Sequence, residues 1–464
     1  NFRPAFDSAT LDQLCVNGDI GALVIDPGSC LTFFQNHSTF GNGFNGTVKV
    51  SFLQSVKVNA TLAFGNVSGF DYWYADALAT LPTGIPLGPA PFAFYGFGGG
   101  AYYHMRQNNL PSAGSVQQSG STQHAAYVPD KNVALGLKAT VVAGTYPRPD
   151  LLNADVTLDV SFTSKGGISK VSLGGPPGQY NAFAFAGLTE RASAPARAQI
   201  GISYDFPNRT FDANFTLNVN AAGGLVTANG GAGMHFHKAN DWFVRVGNPT
   251  PGQRFSLKTF PFTYDAYLWA GQTANPPEMP DPPYPAPAIS SANRPSFSDM
   301  KGGTAILLGA STGFHAGGKF LIFYGQADAV AGFDIALRDM GNATCEGISG
   351  RVGMDGWYAN GQIYAGVALA LGIDVDLWFT SGRYEIFSGK LGATLQGGGP
   401  NPAWAAGIAK GSYSILEGLV SGSFKYEVRL GQECHPKPSN APVENPLVAV
   451  DMISDFQPTA NTQN

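Results

Sequence analysis

The stretch Ile200–Val219, with the sequence IGISYDFPNRTFDANFTLNV, contains the pattern that decides the fold. Apolar residues alternate with small or polar ones from Ile200 to Tyr204, and they alternate again from Phe211 to Val219. Between the two runs stands Pro207–Asn208, a typical turn pair. A period of two is typical of β-strands, so the sequence predicts a β-hairpin here.

The same alternation recurs along most of the chain, for example in Val48–Phe64, Val133–Val142, Gly361–Phe379 and Ser412–Leu430. The chain also contains 60 glycines and 32 prolines among its 464 residues, a composition that favours strands and turns over helices. We therefore predict an all-β fold: a large antiparallel β-sheet, a sandwich or a barrel-like architecture, with little helix.

Composition excludes several classes of protein. Hydrophobic residues make up 44% of the chain and aromatic residues 12%, so we expect a folded rather than a disordered chain. The net charge of -5 gives no basic footprint, which argues against nucleic acid as a partner. No run of apolar residues is long enough to predict a transmembrane helix. The first residue is Asn1 rather than Met, and we expect a processed or trimmed start.

A proline-rich segment divides the chain. Residues 275–295 contain eight prolines, which cannot donate to a β-ladder, so this segment is predicted to be a linker or a strap. The remaining predicted parts are an irregular, disulfide-held N-terminal segment, two β-rich regions and a C-terminal arm that contacts other subunits. They span residues 1–46, 47–274, 296–434 and 435–464.

Four cysteines allow three disulfide pairings. We favour Cys15–Cys30 and Cys345–Cys434, because each pair brackets a turn-rich region at one end of the chain. In the loop-entropy model the short loop contributes about 3 kcal/mol and the long one about 4–5 kcal/mol. The cysteines lack the CxxC spacing of zinc sites, so disulfides and an oxidising compartment are expected.

Seven Asn-x-Ser/Thr sequons are candidate glycosylation sites. Coincidence in a chain rich in Asn, Ser and Thr explains them equally well. The seven are Asn36, Asn45, Asn59, Asn66, Asn208, Asn214 and Asn342.

No catalytic residues, metal ligands or cofactor site are predicted. His235 and His237 share one face of a strand, but without an identifiable third ligand they are better explained as two satisfied side chains. Asp374 and Asp376 alternate in the same way, as any acid pair on a strand does. The glycine-rich Phe94–Met105 lacks the spacing of a phosphate loop.

Aromatic residues are dense enough to line a groove for a sugar or a lipid, with Trp357, Trp378 and Trp404 as the candidate lining residues. The alternative interpretation is that these aromatics are core residues and cross-strand pairs, as in other large β proteins.

Several long motifs resemble a family of very large, uncharacterised exported proteins of Bacteroidota, some of which carry the name TANFOR. They include DYWYADALATLPTGIPL (71–87), FYGFGGGAYYHM (94–105), CEGISGRVGMDGWYANGQIYAGV (345–367) and YSILEGLVSGSFKYEVRLGQEC (413–434). The matching motifs span roughly Asp71–Cys434, which is most of the chain, and the resemblance implies export to the cell surface. It supplies no catalytic residues. Because Bacteroidota attach O-glycans at Asp-Ser/Thr-small motifs, it also makes Ser8 a candidate glycosylation site.

Two functions follow from these observations. The first is a non-enzymatic structural protein, extracellular or on the outer cell surface, that self-associates into a filament or surface layer. Low charge and edge strands favour such assembly. The alternative is a binding module whose β-groove holds lipid or glycan.

Overall fold

The computed structural model describes residues 12–52, 55–108, 116–117, 126–175, 180–250, 252–289, 303–345, 348–377, 380–431 and 436–437. Almost all of them lie in strands, turns and extended segments. Helical structure in this part of the chain is confined to two single turns of 3-10 helix, Arg191–Ser193 and Ala222–Gly224. The prediction of an all-β fold is confirmed.

The strands, in chain order, are β1 Gln13–Asp19, β2 Leu23–His37, β3 Gly41–Phe52, β4 Val56–Val67, β5 Phe70–Pro86, β6 Phe92–Tyr103, β7 Met105–Asn108, β8 Val116–Gln117, β9 Ala126–Pro129, β10 Val133–Thr145, β11 Leu152–Thr163, β12 Ile168–Gly174, β13 Ala182–Ala184, β14 Ala196–Asp205, β15 Thr210–Ala221, β16 Val226–Lys238, β17 Asp241–Val246, β18 Phe255–Thr259, β19 Phe262–Gln272, β20 Ala305–Phe320, β21 Phe323–Asp339, β22 Thr344–Cys345, β23 Trp357–Leu377, β24 Thr380–Gly399, β25 Trp404–Ile415, β26 Val420–Gly431 and β27 Pro436–Lys437.

One antiparallel sheet contains 22 of these strands. The order of the strands in this sheet largely follows the chain, because most strands pair with the next strand in sequence through a short turn. The predicted hairpin is β14–β15, in which Ile200 faces Phe215 and Ile202 faces Ala213. Strand β6 pairs with β10, since β7, β8 and β9 form a small sheet of their own.

The chain divides into two compact units. Unit 1 contains Asn1–His237, Phe243–Trp269 and Ala310–Gly317, and unit 2 contains Lys238–Trp242, Ala270–Gly309 and Gly318–Asn464. The predicted proline-rich segment begins near Ala270, where the second part of unit 2 starts.

The N-terminal segment is more regular than the sequence suggested. Strands β1 and β2 and the first residues of β3 occupy the described part of residues 1–46. The irregular appearance of the sequence comes from bulges, because the register shifts between Val16 and Gly18 and again between Ile25 and Cys30. The ladder places Cys15 opposite Cys30, and the two form the predicted disulfide.

The second disulfide is described at one end only. Cys345 is disulfide-bonded. Its predicted partner, Cys434, lies outside the described residues. Of the predicted C-terminal arm the structure describes Pro436–Lys437, which pairs with Thr344–Cys345; residues 438–464, including the predicted subunit contact, lie outside.

The described part of the proline-rich segment, residues 275–289, is a strap on the buried face of unit 2. Its backbone carbonyls accept hydrogen bonds from side chains on the sheet beneath it, at 2.9 Å from Arg338 to Pro277, 2.8 Å from Gln362 to Pro280 and 2.5 Å from Thr394 to Pro287. Glycines in the sheet make room for it: a Cβ on Gly366 or Gly392 would lie 2.7 Å from atoms of Ala286 or Pro287. Side chains of the sheet thus donate hydrogen bonds to backbone carbonyls of the strap, which is not paired in a β-ladder.

Gly136 gives a test of packing on the buried face of unit 1. The ring of Tyr102 lies over this residue, so a Cβ there would collide with ring atoms. We predict that Gly136→Ala lowers the free energy of unfolding by about 1–3 kcal/mol, as overpacking does. The matched control is Gly318→Ala in β20, where a Cβ would meet nothing within 4 Å. Urea unfolding of the two variants measures the difference; equal stabilities would contradict this packing.

Candidate functional site: the two faces of the sheet

A row that is polar at every position except Gly100 crosses nine strands of unit 1. Its members are opposite one another in the register of β4, β5, β6, β10, β11, β12, β14, β15 and β16. They are Thr61, Asp76, Gly100, Lys138, Asp159, Ser172, Ser203, Asp212 and His235. The central charged residues Asp76, Lys138 and Asp159 are only 7–8% exposed. The polar row therefore lies on the buried face.

On each of these strands one residue next to the member of the polar row is apolar. These apolar residues also lie opposite one another and form a second row. Its members are Leu62, Ala75, Ala101, Leu137, Val160, Val171, Tyr204, Phe211 and Phe236. Leu137 is 47% exposed and Phe236 42%. Since successive side chains of a strand point to opposite faces, this row lies on the exposed face.

Unit 2 repeats the arrangement. Asp334, Gln362 and Gln396 face one another across β21, β23 and β24, and all three are buried. The preceding residue of β21, Phe333, starts an exposed row that continues through Ile363, Leu395 and Gly407 to Val428. In both units the exposed face carries rows of apolar side chains, and polar side chains lie among apolar ones on the buried face.

An aromatic row marks one end of the strands in unit 1. It crosses β2 to β6 in register and consists of Phe33, Phe44, Phe64, Trp73 and Tyr103. The rings of Phe44 and Phe64 stack at 6.3 Å, and those of Trp73 and Tyr103 at 6.5 Å. Tyr72 and Tyr74, on either side of Trp73, and Tyr102, next to Tyr103, are buried. Because neighbouring residues of a strand point to opposite faces, the aromatic row lies on the exposed face.

Tyrosine hydroxyls and one lysine satisfy the buried carboxylates. Lys138 Nζ donates to the Tyr74 hydroxyl at 2.7 Å and to Asp76 Oδ2 at 3.0 Å, and Tyr74 itself donates to Asp76 at 2.8 Å. Tyr102 and Tyr127 donate to the two oxygens of Asp159, at 2.7 and 2.8 Å. The first set of charge-assisted bonds joins β5 to β10, and the second joins β6 and β9 to β11. Lys138 Nζ lies 5.1 Å from the centroid of the Tyr127 ring, which brings the two sets into contact.

A second buried ion pair joins a loop to the same face. Arg191, in the first 3-10 turn, donates to Asp155 at 2.7 Å and to the Asn153 side chain at 2.6 Å. Its guanidinium lies 4.9 Å from the ring centroid of Phe183. The loop between β13 and β14 is therefore anchored on the polar face by a charge.

The signal for this inversion was present in the sequence. Strand β11 alternates Asp155, Thr157, Asp159 and Ser161 with Val156, Leu158, Val160 and Phe162. The prediction of strands rested on the apolar half of this alternation only. Charged residues in the middle of strands, in register with one another, are what distinguishes this sheet from an ordinary amphipathic one.

The tryptophans predicted to line a groove are not in one environment. Trp404 is 6% exposed and packs in a core with Met340, Val352 and Tyr358, which agrees with the alternative interpretation as a core residue. Trp357 is 38% exposed at the start of β23. Trp378 lies outside the described residues. Neither of the two described tryptophans lines the 400 Å³ apolar depression of unit 2, whose walls include Ile363, Leu395 and Val428.

The paired histidines have ordinary partners. His235 Nδ1 is 2.7 Å from Asp212 Oδ1, and His237 Nδ1 is 3.0 Å from the Thr210 hydroxyl. Asp374 pairs with Lys319 at 3.3 Å. Among the described residues, no group of three or more His, Cys, Asp or Glu side chains is placed to hold a metal ion.

One motif was missed. Residues 309–313 spell GASTG and match the Gly-x-Ser-x-Gly pattern of nucleophile elbows. The pattern requires a strand-to-helix turn, whereas these residues lie inside strand β20 with Ser311 buried. The motif is therefore part of the sheet.

The candidate glycosylation sites fall into two groups. In the first group, Asn36, Asn66 and Asn208 are exposed and Asn342 is half-buried. In the second group, Asn45, Asn59 and Asn214 lie within strands on the buried face, which carries the polar row. The first group has more room for a glycan; glycosylation itself stays a prediction. Ser8 lies outside the described residues.

Comparison with family models, with curated proteins and with solved structures finds no match to this chain. Within the described part of the chain, no helix has the length and apolar character needed to cross a membrane. The distribution of polar and apolar side chains over the two faces of the sheet is therefore the feature on which a functional interpretation rests.

The Lys138–Asp76 pair can be tested by substitution. We predict that Lys138→Met costs about 3–5 kcal/mol of unfolding free energy, because it leaves a buried carboxylate without its cation. Adding Asp76→Leu to that variant should restore at least half of the loss. The control is Arg106→Met at the exposed Arg106–Asp130 pair, expected to cost less than about 1 kcal/mol. A double variant no more stable than Lys138→Met would contradict this account.

Proposed function

We propose that this protein is a membrane protein whose sheet lies with its exposed apolar face against lipid hydrocarbon. The observation that carries the proposal is the pair of adjacent rows in unit 1. One is polar and is buried at its centre, at Asp76, Lys138 and Asp159, and the other is apolar and partly exposed, with Leu137 at 47% and Phe236 at 42%. In water an antiparallel sheet buries its apolar face and exposes its polar one. The reverse arrangement is stable when the medium on the outside is itself apolar.

Backbone chemistry supports the same environment. Hydrocarbon offers no partner to a peptide group, so a chain in lipid must satisfy its backbone internally. Strands β10, β11 and β15 are paired on both sides along most of their length. They contain 13, 12 and 12 residues, and about 9–11 tilted residues reach across the hydrocarbon of a bilayer.

The aromatic row favours lipid over a second copy of the chain as the partner of this face. Aromatic side chains concentrate where hydrocarbon meets the headgroups of a membrane. A row that runs from Phe33 to Tyr103 near the ends of five successive strands matches this preference. A protein–protein interface gives no reason for such a row at the strand ends.

Location and assembly remain proposals. The Cys15–Cys30 disulfide favours an oxidising compartment, and we propose a membrane at the cell exterior, in keeping with the expected export. Self-association into a filament or surface layer is the competing function, because a second copy would also cover apolar surface.

Leu158, in the middle of β11 on the exposed face, gives the direct test. We predict that Leu158→Lys destabilises the lipid-bound protein by about 2–4 kcal/mol, the cost of a cation at the centre of a bilayer. Leu158→Phe keeps the face apolar and should bind lipid normally. Flotation with phosphatidylcholine vesicles, followed by urea unfolding, measures both. If Leu158→Lys floats and unfolds like the unchanged protein, the proposal is wrong. If it instead turns lipid-free oligomers into monomers, self-association is the function.

A scan of spin labels along β11 provides an independent measurement. In vesicles, labels at positions 156, 158 and 160 should be accessible to oxygen, which concentrates in hydrocarbon, and labels at 157 and 159 should not. The expected accessibility therefore oscillates with a period of two residues. A flat profile, or maxima at the polar positions, would contradict a lipid-facing sheet.

A further inference from the structure

A polar pocket of about 360 Å³ opens on the buried face of unit 2 beside the proline-rich strap. Its volume falls in the range of small-molecule sites, ~300–1,000 Å³. Two rows of residues on the same face of the sheet, two positions apart along each strand, form its floor. One contains Gln326, Ala370, Ser388 and Ser414, and the other contains Asp328, Ala368, Lys390 and Ser412. The pocket exists because alanines and serines stand where larger side chains would fill the space.

The strap supplies one wall. Tyr284 is 65% exposed, and Lys390 Nζ lies 4.9 Å from the centroid of its ring. The wall thus offers an aromatic surface next to an ammonium group. Aromatic surfaces of this kind pack against the apolar C–H face of a sugar ring.

The remaining polar groups are mixed in sign and type. Gln326 Nε2 donates to Asp328 at 2.8 Å, and the Ser388 hydroxyl donates to Glu385 at 2.5 Å. Together with Lys390 they place two carboxylates, an amide, a hydroxyl and one cation around the same space. The floor adds two hydroxyl groups, of Ser412 and Ser414.

This combination selects against anions. The carboxylates of Asp328 and Glu385 repel phosphate and other anions, and Lys390 offsets part of their attraction for cations. A neutral polyol suits all of these groups, because each hydroxyl both donates and accepts. We propose that this pocket binds a neutral saccharide, with Tyr284 as its packing surface. The proposal does not depend on the membrane proposal, since the pocket belongs to unit 2 alone and lies on the polar face.

Calorimetric titration of the full chain with glucose, galactose, maltose and lactose tests the site, with inorganic phosphate and putrescine as charged probes. We expect saturable binding of at least one sugar with a Kd of ~1 mM or below, and no binding of the charged probes. Ala368→Leu fills the floor without removing a polar group, and it should weaken binding about tenfold or more. Lys390→Met changes an exposed side chain and should also weaken binding. The control Ser421→Ala/Ser423→Ala alters the same two rows one strand further on. It should bind as the unchanged chain does.

Three results would overturn the proposal: no saturable binding of any of the four sugars below about 10 mM, binding of phosphate or putrescine instead, or undiminished sugar binding by Ala368→Leu and Lys390→Met. Because Leu158 lies in unit 1 and the pocket in unit 2, the Leu158→Lys variant should bind sugar as the unchanged chain does, whether or not it floats with vesicles.

Discussion

The separation of polarity across the sheet is the constraint on which the rest of the structure depends. A step of one residue, from Lys138 to Leu137 or from Gln362 to Ile363, moves from a buried polar side chain to an exposed apolar one. Because the side-chain period of a strand is two, a slip of register by one residue would reverse both faces at once. The long, sequential hairpins keep the register fixed over 22 strands.

Burying so many polar groups demands partners for them, and the two units solve this differently. In unit 1 tyrosine hydroxyls from β5, β6 and β9 reach the carboxylates of Asp76 and Asp159, and Lys138 provides the opposite charge. In unit 2 the strap provides backbone carbonyls to Gln362 and Thr394. Each solution explains a local sequence feature: the tyrosine-rich segments in one unit and the proline-rich run in the other.

The same inversion links fold to function. An exposed apolar face needs an apolar partner, and the aromatic row around Trp73 favours a membrane in that role. A buried polar face, where small residues such as Ala368 leave space, can receive a polar molecule. Each unit therefore has two faces of different chemistry, and the pocket on the buried face of unit 2 is independent of what covers the exposed face of either unit.

The sequence by itself determined most of the strands that follow residue 46, the hairpin at residues 200–219, the Cys15–Cys30 pairing and the extended character of the proline-rich segment. All of these depend on local periodicity, turn residues and spacing. Tertiary structure decided which face of each strand is buried, since alternation alone places apolar and polar residues on opposite faces without saying which one meets solvent. It also decided that the strap lies on the sheet and that Asp159 meets Tyr102 and Tyr127. Those contacts join residues 57 and 32 positions apart, beyond the reach of any local pattern.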